Sequence, residues 1–248
     1  MNSAQRIAAI CTDLSKADPN HPMVKIWADL FSAAYPHPDA EDTIASCLVV
    51  LRKEINALRT RLNEMDAPNE LLDPGFENLH NVCSSTYLNQ GFSGLRNSVL
   101  APECKYPFLF AKWALRAEGD KDVDPQVIEN IRTLLSELKQ EAAKANVPTE
   151  LREFLLRQIA VLEKAVTEYR IVGSKAFDVA YKTVLFEVNT ADEETKRAAV
   201  QADETAPGLV TKFVEAFKAV GNVSEAAKKI HDVMPALSEW VQALLPTA

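Results

Sequence analysis

The chain has 248 residues, 47% apolar and 25% charged, the balance of a folded globular protein rather than a disordered one. Its formal charge is −8, which argues against a phosphate backbone as partner. Seven glycines are too few for the turns and bulges of a sheet protein, so composition points to an all-α fold of helices joined by short loops.

In chain order, residues 4–16 place Ile7, Ile10, Cys11 and Leu14 at helical spacing. A DPNHP break follows, and Met23, Ile26, Trp27, Leu30 and Phe31 mark a second short helix. The prolines of YPHPD end it. Asp39 is a candidate N-cap, with Glu41 and Asp42 in the first turn of a helix running to Met65. There Leu48, Leu51, Ile55, Leu58, Leu62 and Met65 alternate three and four residues apart, a heptad seam with Arg52, Lys53, Glu54, Arg59, Arg61 and Glu64 off it. Such a seam either packs against another helix of the same chain or joins two copies as a coiled coil.

Asp73-Pro74 is expected to open a helix through Leu79, Val82 and Cys83, ended by NQGFSG. Beyond it lies the densest aromatic cluster, Tyr106, Pro107, Phe108, Phe110 and Trp113. A helix starting at Pro107 would be apolar on both faces. That is the pattern of a central, buried helix, so Trp113 is expected in the core. The alternative is a ligand or partner groove, with Tyr106 in it and Arg96, Asn97 and Lys112 as polar contacts.

Asp124-Pro125 starts a helix with Val127, Ile128, Ile131, Leu134, Leu135 and Leu138 on one face. After ANVP, the residues Leu151, Leu155, Ile159, Leu162, Val166 and Tyr169 repeat that spacing, which predicts an antiparallel hairpin. Gly173-Ser174 precedes a further helix over 175–188 with Phe177, Tyr181, Val184 and Leu185. Residues 189–206 hold five acids, two bases and almost no large apolar side chain, a linker or exposed helix. Leu209, Val210, Phe213, Val214 and Phe217 form the next stripe. Ser224 caps a last helix carrying Ile230, Val233, Met234, Leu237, Trp240, Val241 and Leu244, kinked at Pro235. The expected organisation is a helical bundle over 1–188, the acidic stretch 189–206, and an amphipathic helical pair over 207–248. Together they make an irregular bundle of at least seven helices.

The stretch 148–177, PTELREFLLRQIAVLEKAVTEYRIVGSKAF, resembles helical segments of uncharacterised bacterial proteins often carried on mobile or defence-related gene clusters. The resemblance covers about 30 residues and implies a bacterial helical protein; it implies no activity and no site residues.

Chemistry-bearing motifs are sparse. A HEPN-type ribonuclease needs an arginine and a polar residue, then a histidine after four to six residues. Arg96-Asn97 begins so, but Ala101, Pro102 and Glu103 stand where the histidine would be. Glu77, His80 and Cys83 share one helical face, but a zinc site needs four ligands and a di-iron bundle needs a second Glu-x-x-His, which the chain lacks. A Cys83 nucleophile assisted by His80 is the remaining enzymatic option. GxGxxG, GxxxxGK[ST], GxSxG and HExxH are all missing, which leaves NQGFSG as the one loop able to cradle a phosphate.

No catalytic residue, metal ligand or cofactor is therefore expected. The cysteines at 11, 47, 83 and 104 match no metal or redox spacing. The N-terminal twenty residues lack a signal peptide's apolar region, and the longest nearly apolar run, 44–51, is far short of the ~20 residues that span a bilayer. A soluble, cytoplasmic protein is expected. Its expected role is that of a non-enzymatic protein-interaction component or homo-oligomer, in the context of a bacterial defence or toxin-neutralising assembly. The alternatives are a peripheral membrane effector using the C-terminal helices, and an enzyme with a site near 80–113.

Overall fold

The computed structural model describes residues 1–33, 35–119, 122–191 and 205–229. Among these the protein is all-α, with no β-strand. Packing divides the chain into two units, Met1–Asp122 with Arg170–Gly173, and Val123–Tyr169 with Ser174–Ala248. The expected boundary at 189–206 falls mostly outside the described residues, as do the stripe from Ile230 onward and the kink at Pro235.

The first unit contains α1 (Ser3–Lys16), α2 (Met23–Phe31), α3 (Ala40–Asn63), α4 (Asn69–Val82), α5 (Arg96–Leu100) and α6 (Pro102–Ala114). A capping box starts α1. The Asn2 side chain accepts from the Gln5 amide at 2.9 Å, and Gln5 Oε1 accepts from the Asn2 amide at 3.0 Å. The same asparagine donates from Nδ2 to the Glu118 carbonyl at 2.7 Å, so one buried side chain caps α1 and holds the chain leaving α6. Arg6 is buried as well. Its Nε donates to the Ile171 carbonyl at 2.9 Å, and its guanidinium lies 3.7 Å from Glu54 on α3. Arg170 donates to the Leu30 carbonyl at 2.7 Å and pairs with Asp13. These bonds explain why four residues after Tyr169 belong to the first unit.

The heptad seam is buried. Leu48, Leu51, Ile55, Leu58 and Leu62 are each at most 2% exposed, covered inside the unit where α1, α2 and α4 pack on α3. A coiled coil between two copies would need these same side chains, so the seam is not an interaction surface in this fold. Met65 lies beyond the helix end and is exposed.

Two helix starts differ from expectation. α4 begins at Asn69, and Pro74 sits inside it; α6 begins with Pro102 at its first turn, and Pro107 sits inside. A proline costs a helix one interior hydrogen bond. Here the surrounding contacts tolerate the loss, because α4 and α6 press closely together. A Cβ on Gly75 would lie 2.7 Å from Pro107 Cγ and 2.8 Å from the Cys104 carbonyl oxygen, so only glycine permits this approach. Phe76 and Phe108 pack beside that point with ring centroids 4.9 Å apart.

The loop NQGFSG packs back on the DPNHP break. Met23 and Val24 donate to the carbonyls of Gln90 and Leu88 at 2.9 and 2.8 Å, while Phe92 and Ser93 donate to those of His21 and Pro19 at 3.1 and 3.0 Å. The amides of Phe92 and Ser93 are thereby taken by backbone carbonyls and not left to cradle an anion.

The second unit contains α7 (Pro125–Lys144), most of α8 (Thr149–Val172), α9 (Lys175–Asn189), α10 (Thr205–Val223) and the short α11 (Glu225–Lys229). Asp124 caps α7 by accepting from the Gln126 amide at 2.9 Å, with Pro125 first in the helix, as its sequence predicts. The apolar face of α7 is narrower than expected: Ile128, Ile131, Leu135 and Leu138 are buried, whereas Val127 and Leu134 are exposed. The end of α8 returns to the start of α7, where the Val123 amide donates to the Tyr169 hydroxyl at 3.3 Å. Leu209, Val210, Phe213, Val214 and Phe217 of α10 are buried where α10 packs on α7 and α9, and Phe217 stacks on Tyr181 at 4.6 Å. Ser224 caps α11 by accepting from the Ala227 amide at 3.2 Å, and it donates to Asp178 at 2.7 Å.

Candidate functional site

Two places in the first unit concentrate polar or unpartnered side chains. One is a cleft between α3 and α4 of about 290 Å³, lined by Asn56, Arg59, Phe76, Glu77, His80 and Asn81. The two helices are bridged like a ladder. Arg52 Nε donates to His80 Nε2 at 3.1 Å, and Arg59 pairs with Asp73. His80 thus uses one ring nitrogen as an acceptor from a cation. Burial, and then the nearby Arg52 charge, holds its pKa below the ordinary histidine value. The cleft lies at the small end for a ligand pocket, and its one apolar wall is the buried Phe76.

Burial argues against the Cys83–His80 pair as a nucleophile and its base. Cys83 is buried, and burial raises its thiol pKa, which disfavours the thiolate that a nucleophile needs. Cys11 is pushed up to about 12 for the same reason. Cys104 accepts at 3.0 Å from Asn78 Nδ2, and among the described residues no three His, Cys, Asp or Glu side chains converge to hold a metal.

The second place is the outer face of α6. At 100° per residue, Cys104, Phe108, Ala111 and Leu115 point to one side, and all four are buried where α6 packs on α1 and α4. Tyr106, Leu109, Phe110 and Trp113 occupy an arc of about 100° on the other side. Tyr106 is 60%, Leu109 54% and Trp113 61% exposed, with Phe110 half-buried beside Trp113. The expectation that Trp113 lies in the core is therefore wrong. An apolar stripe on each face of a helix satisfies the sequence pattern of a central helix, but α1 and α4 cover only one of them.

Charge accompanies the outer stripe. Lys105 and Lys112 flank it on one side. In the turn after the helix, the Arg116 guanidinium lies over the Trp113 ring at 4.6 Å and donates to the Trp113 carbonyl at 2.8 Å. Residues 84–117 carry four bases and one acid, a local charge of +3 in a chain of −8.

Of the residues singled out in the sequence, Tyr106 and Lys112 stand exposed on α6, while Arg96 and Asn97 stand exposed at the start of α5, one turn of chain earlier. No side-chain hydrogen bond joins these four among the described residues, and no described cleft is lined by them. Leu109, Trp113, Lys105 and Arg116 lie on the outer side of α6 with Tyr106 and Lys112, and sequence reasoning did not assign them there. The available signal was the row of bases beside the second stripe, which a wholly buried helix would not carry.

The chain matches no family model, no curated protein and no solved structure.

Proposed function

We propose that the protein acts by binding rather than by catalysis, as an interaction component whose contact surface is the outer face of α6. The observation that carries this reading is the line of exposed Tyr106, Leu109 and Trp113 on a helix whose other side is already buried. A soluble domain rarely presents aromatic side chains so closely grouped unless something covers them. Single exposed residues elsewhere, such as Val179 and Phe186 on α9, need no such explanation. The stripe of α10 supports the membrane alternative less well than its sequence did, because its apolar side chains are covered within the second unit.

The resemblance of 148–177 supports placing the component in a bacterial defence or toxin-neutralising assembly. The test is a triple variant, Tyr106→Ser, Leu109→Ser and Trp113→Ser, scored in cells for the phenotype of a deletion strain under toxin or phage challenge. The expected result is normal folding with loss of function. Full function in a folded triple variant would remove α6 as the contact surface.

A further inference from the structure

We infer, resting on that reading of α6, that the surface it meets is the interface of an anionic lipid bilayer. Three features choose this partner. The first is shape. Tyr106, Leu109 and Trp113 stand one turn apart on a ridge about 10 Å long. Each of the three side chains is more than half exposed, and the cleft between α3 and α4 does not include them. A protein partner would need a matching groove, whereas a bilayer yields around a ridge.

The second is side-chain chemistry. Tyrosine and tryptophan carry an apolar ring with a polar tip, the combination that settles at headgroup depth, and Leu109 and Phe110 add apolar area beneath them. The third is charge. Lys105, Lys112 and Arg116 lie along the side of the ridge, where long stems let the cations reach lipid phosphates while the rings point down. The remainder of the chain is net acidic, so an anionic surface favours contact through this basic segment.

A second copy fits less well. Two-fold pairing of antiparallel ridges would lay Lys105, Lys112 and Arg116 of one copy beside the same residues of the other, with like charges facing. None of the helices among the described residues is long and apolar enough to cross a membrane, so this contact is one of docking on the surface.

The experiment uses the full chain and two vesicle preparations, pure phosphatidylcholine and phosphatidylcholine with about a third phosphatidylserine. Binding is read by co-sedimentation and by tryptophan emission. The expected result is about tenfold or greater preference for the phosphatidylserine vesicles, falling steeply as salt is raised. Emission is read in a Trp240→Phe background, where it should shift to the blue on binding; the shift should vanish when Trp113→Phe is added, because the remaining Trp27 is buried. Lys105→Glu with Lys112→Glu should abolish the preference. Phe186→Ser, which removes an equally exposed ring from the second unit, should bind as the unaltered chain does. Melting curves verify that each variant is folded.

Equal binding to both vesicles, or equal loss in Phe186→Ser and Trp113→Ser, overturns the inference. So does the absence of vesicle binding. If α6 variants still lose function in cells, or abolish concentration-dependent dimers, the ridge meets protein and only the lipid assignment falls. If α6 variants also behave normally in cells, the interaction reading falls with it.

Discussion

Helices α3 and α6 both carry apolar side chains at heptad-like spacing, yet one stripe is the core of the first unit and the other faces water. On α3 the five seam residues are covered because α1, α2 and α4 pack over them, while Arg52, Lys53, Glu54, Arg59 and Arg61 lie off the seam. On α6 the inward row of Cys104, Phe108, Ala111 and Leu115 meets the core first, leaving Tyr106, Leu109 and Trp113 with nothing to pack on. A stripe is therefore buried when the neighbouring helices can reach it. A helix with two stripes presents the second.

The comparison breaks most severely at Ile55. Ile55→Asp places an unpaired carboxylate in the seam and should cost about 4 kcal/mol or more, enough to unfold the first unit, read by denaturant melting. Unchanged melting would mean that the seam is not core. On α6, Phe108→Ala should lose roughly 3 to 5 kcal/mol, because that ring packs on Phe76 at 4.9 Å. Gly75→Ala tests how closely α4 and α6 approach. The new methyl would lie 2.7 Å from Pro107 Cγ, and the overpacking cost of about 1 to 3 kcal/mol should outweigh the roughly 1 kcal/mol by which alanine favours a helix.

A smaller effect is expected at His80, which holds α4 to α3 by accepting from Arg52. Its pKa is lowered in the folded chain, so near pH 6.5 the unfolded chain takes up a proton that the folded chain refuses. The stability tied to this group is complete above about pH 6.5 and is lost as pH falls through the lower folded value, where a protonated ring opposes Arg52 donor to donor. His80→Gln should flatten that part of the pH–stability curve; an unchanged slope would place its origin elsewhere. The smallest change in stability belongs to Trp113→Ala, within about 0.5 kcal/mol, against the several kcal/mol of its buried helix-mate Phe108. A loss at Trp113 as large as that at Phe108 would mean that the two faces of α6 do not differ.

Much of the architecture was legible before any coordinates. Glycine scarcity and helical periodicity predicted an all-α chain. The Asp124-Pro125 start and the Ser224 cap are local signals that the structure realises, because a cap needs only its own next three residues. Helix starts were misjudged where tertiary contact overrode local cost. Pro74 and Pro107 read as first-turn residues, yet each sits inside a helix that the close α4–α6 packing sustains. The polar pair at Arg96 and Asn97 was legible as a contact candidate, and both are exposed; the exposure of Leu109 and Trp113 on α6 was not legible.

The sequence by itself determined which side chains are apolar and at what angular spacing they recur, and therefore that α3 and α6 would each have faces to bury. Periodicity is a property of one helix. Only the tertiary structure decided which of those faces found a partner, because coverage depends on where α1 and α4 arrive, and that in turn on a glycine at 75 that lets two helices touch.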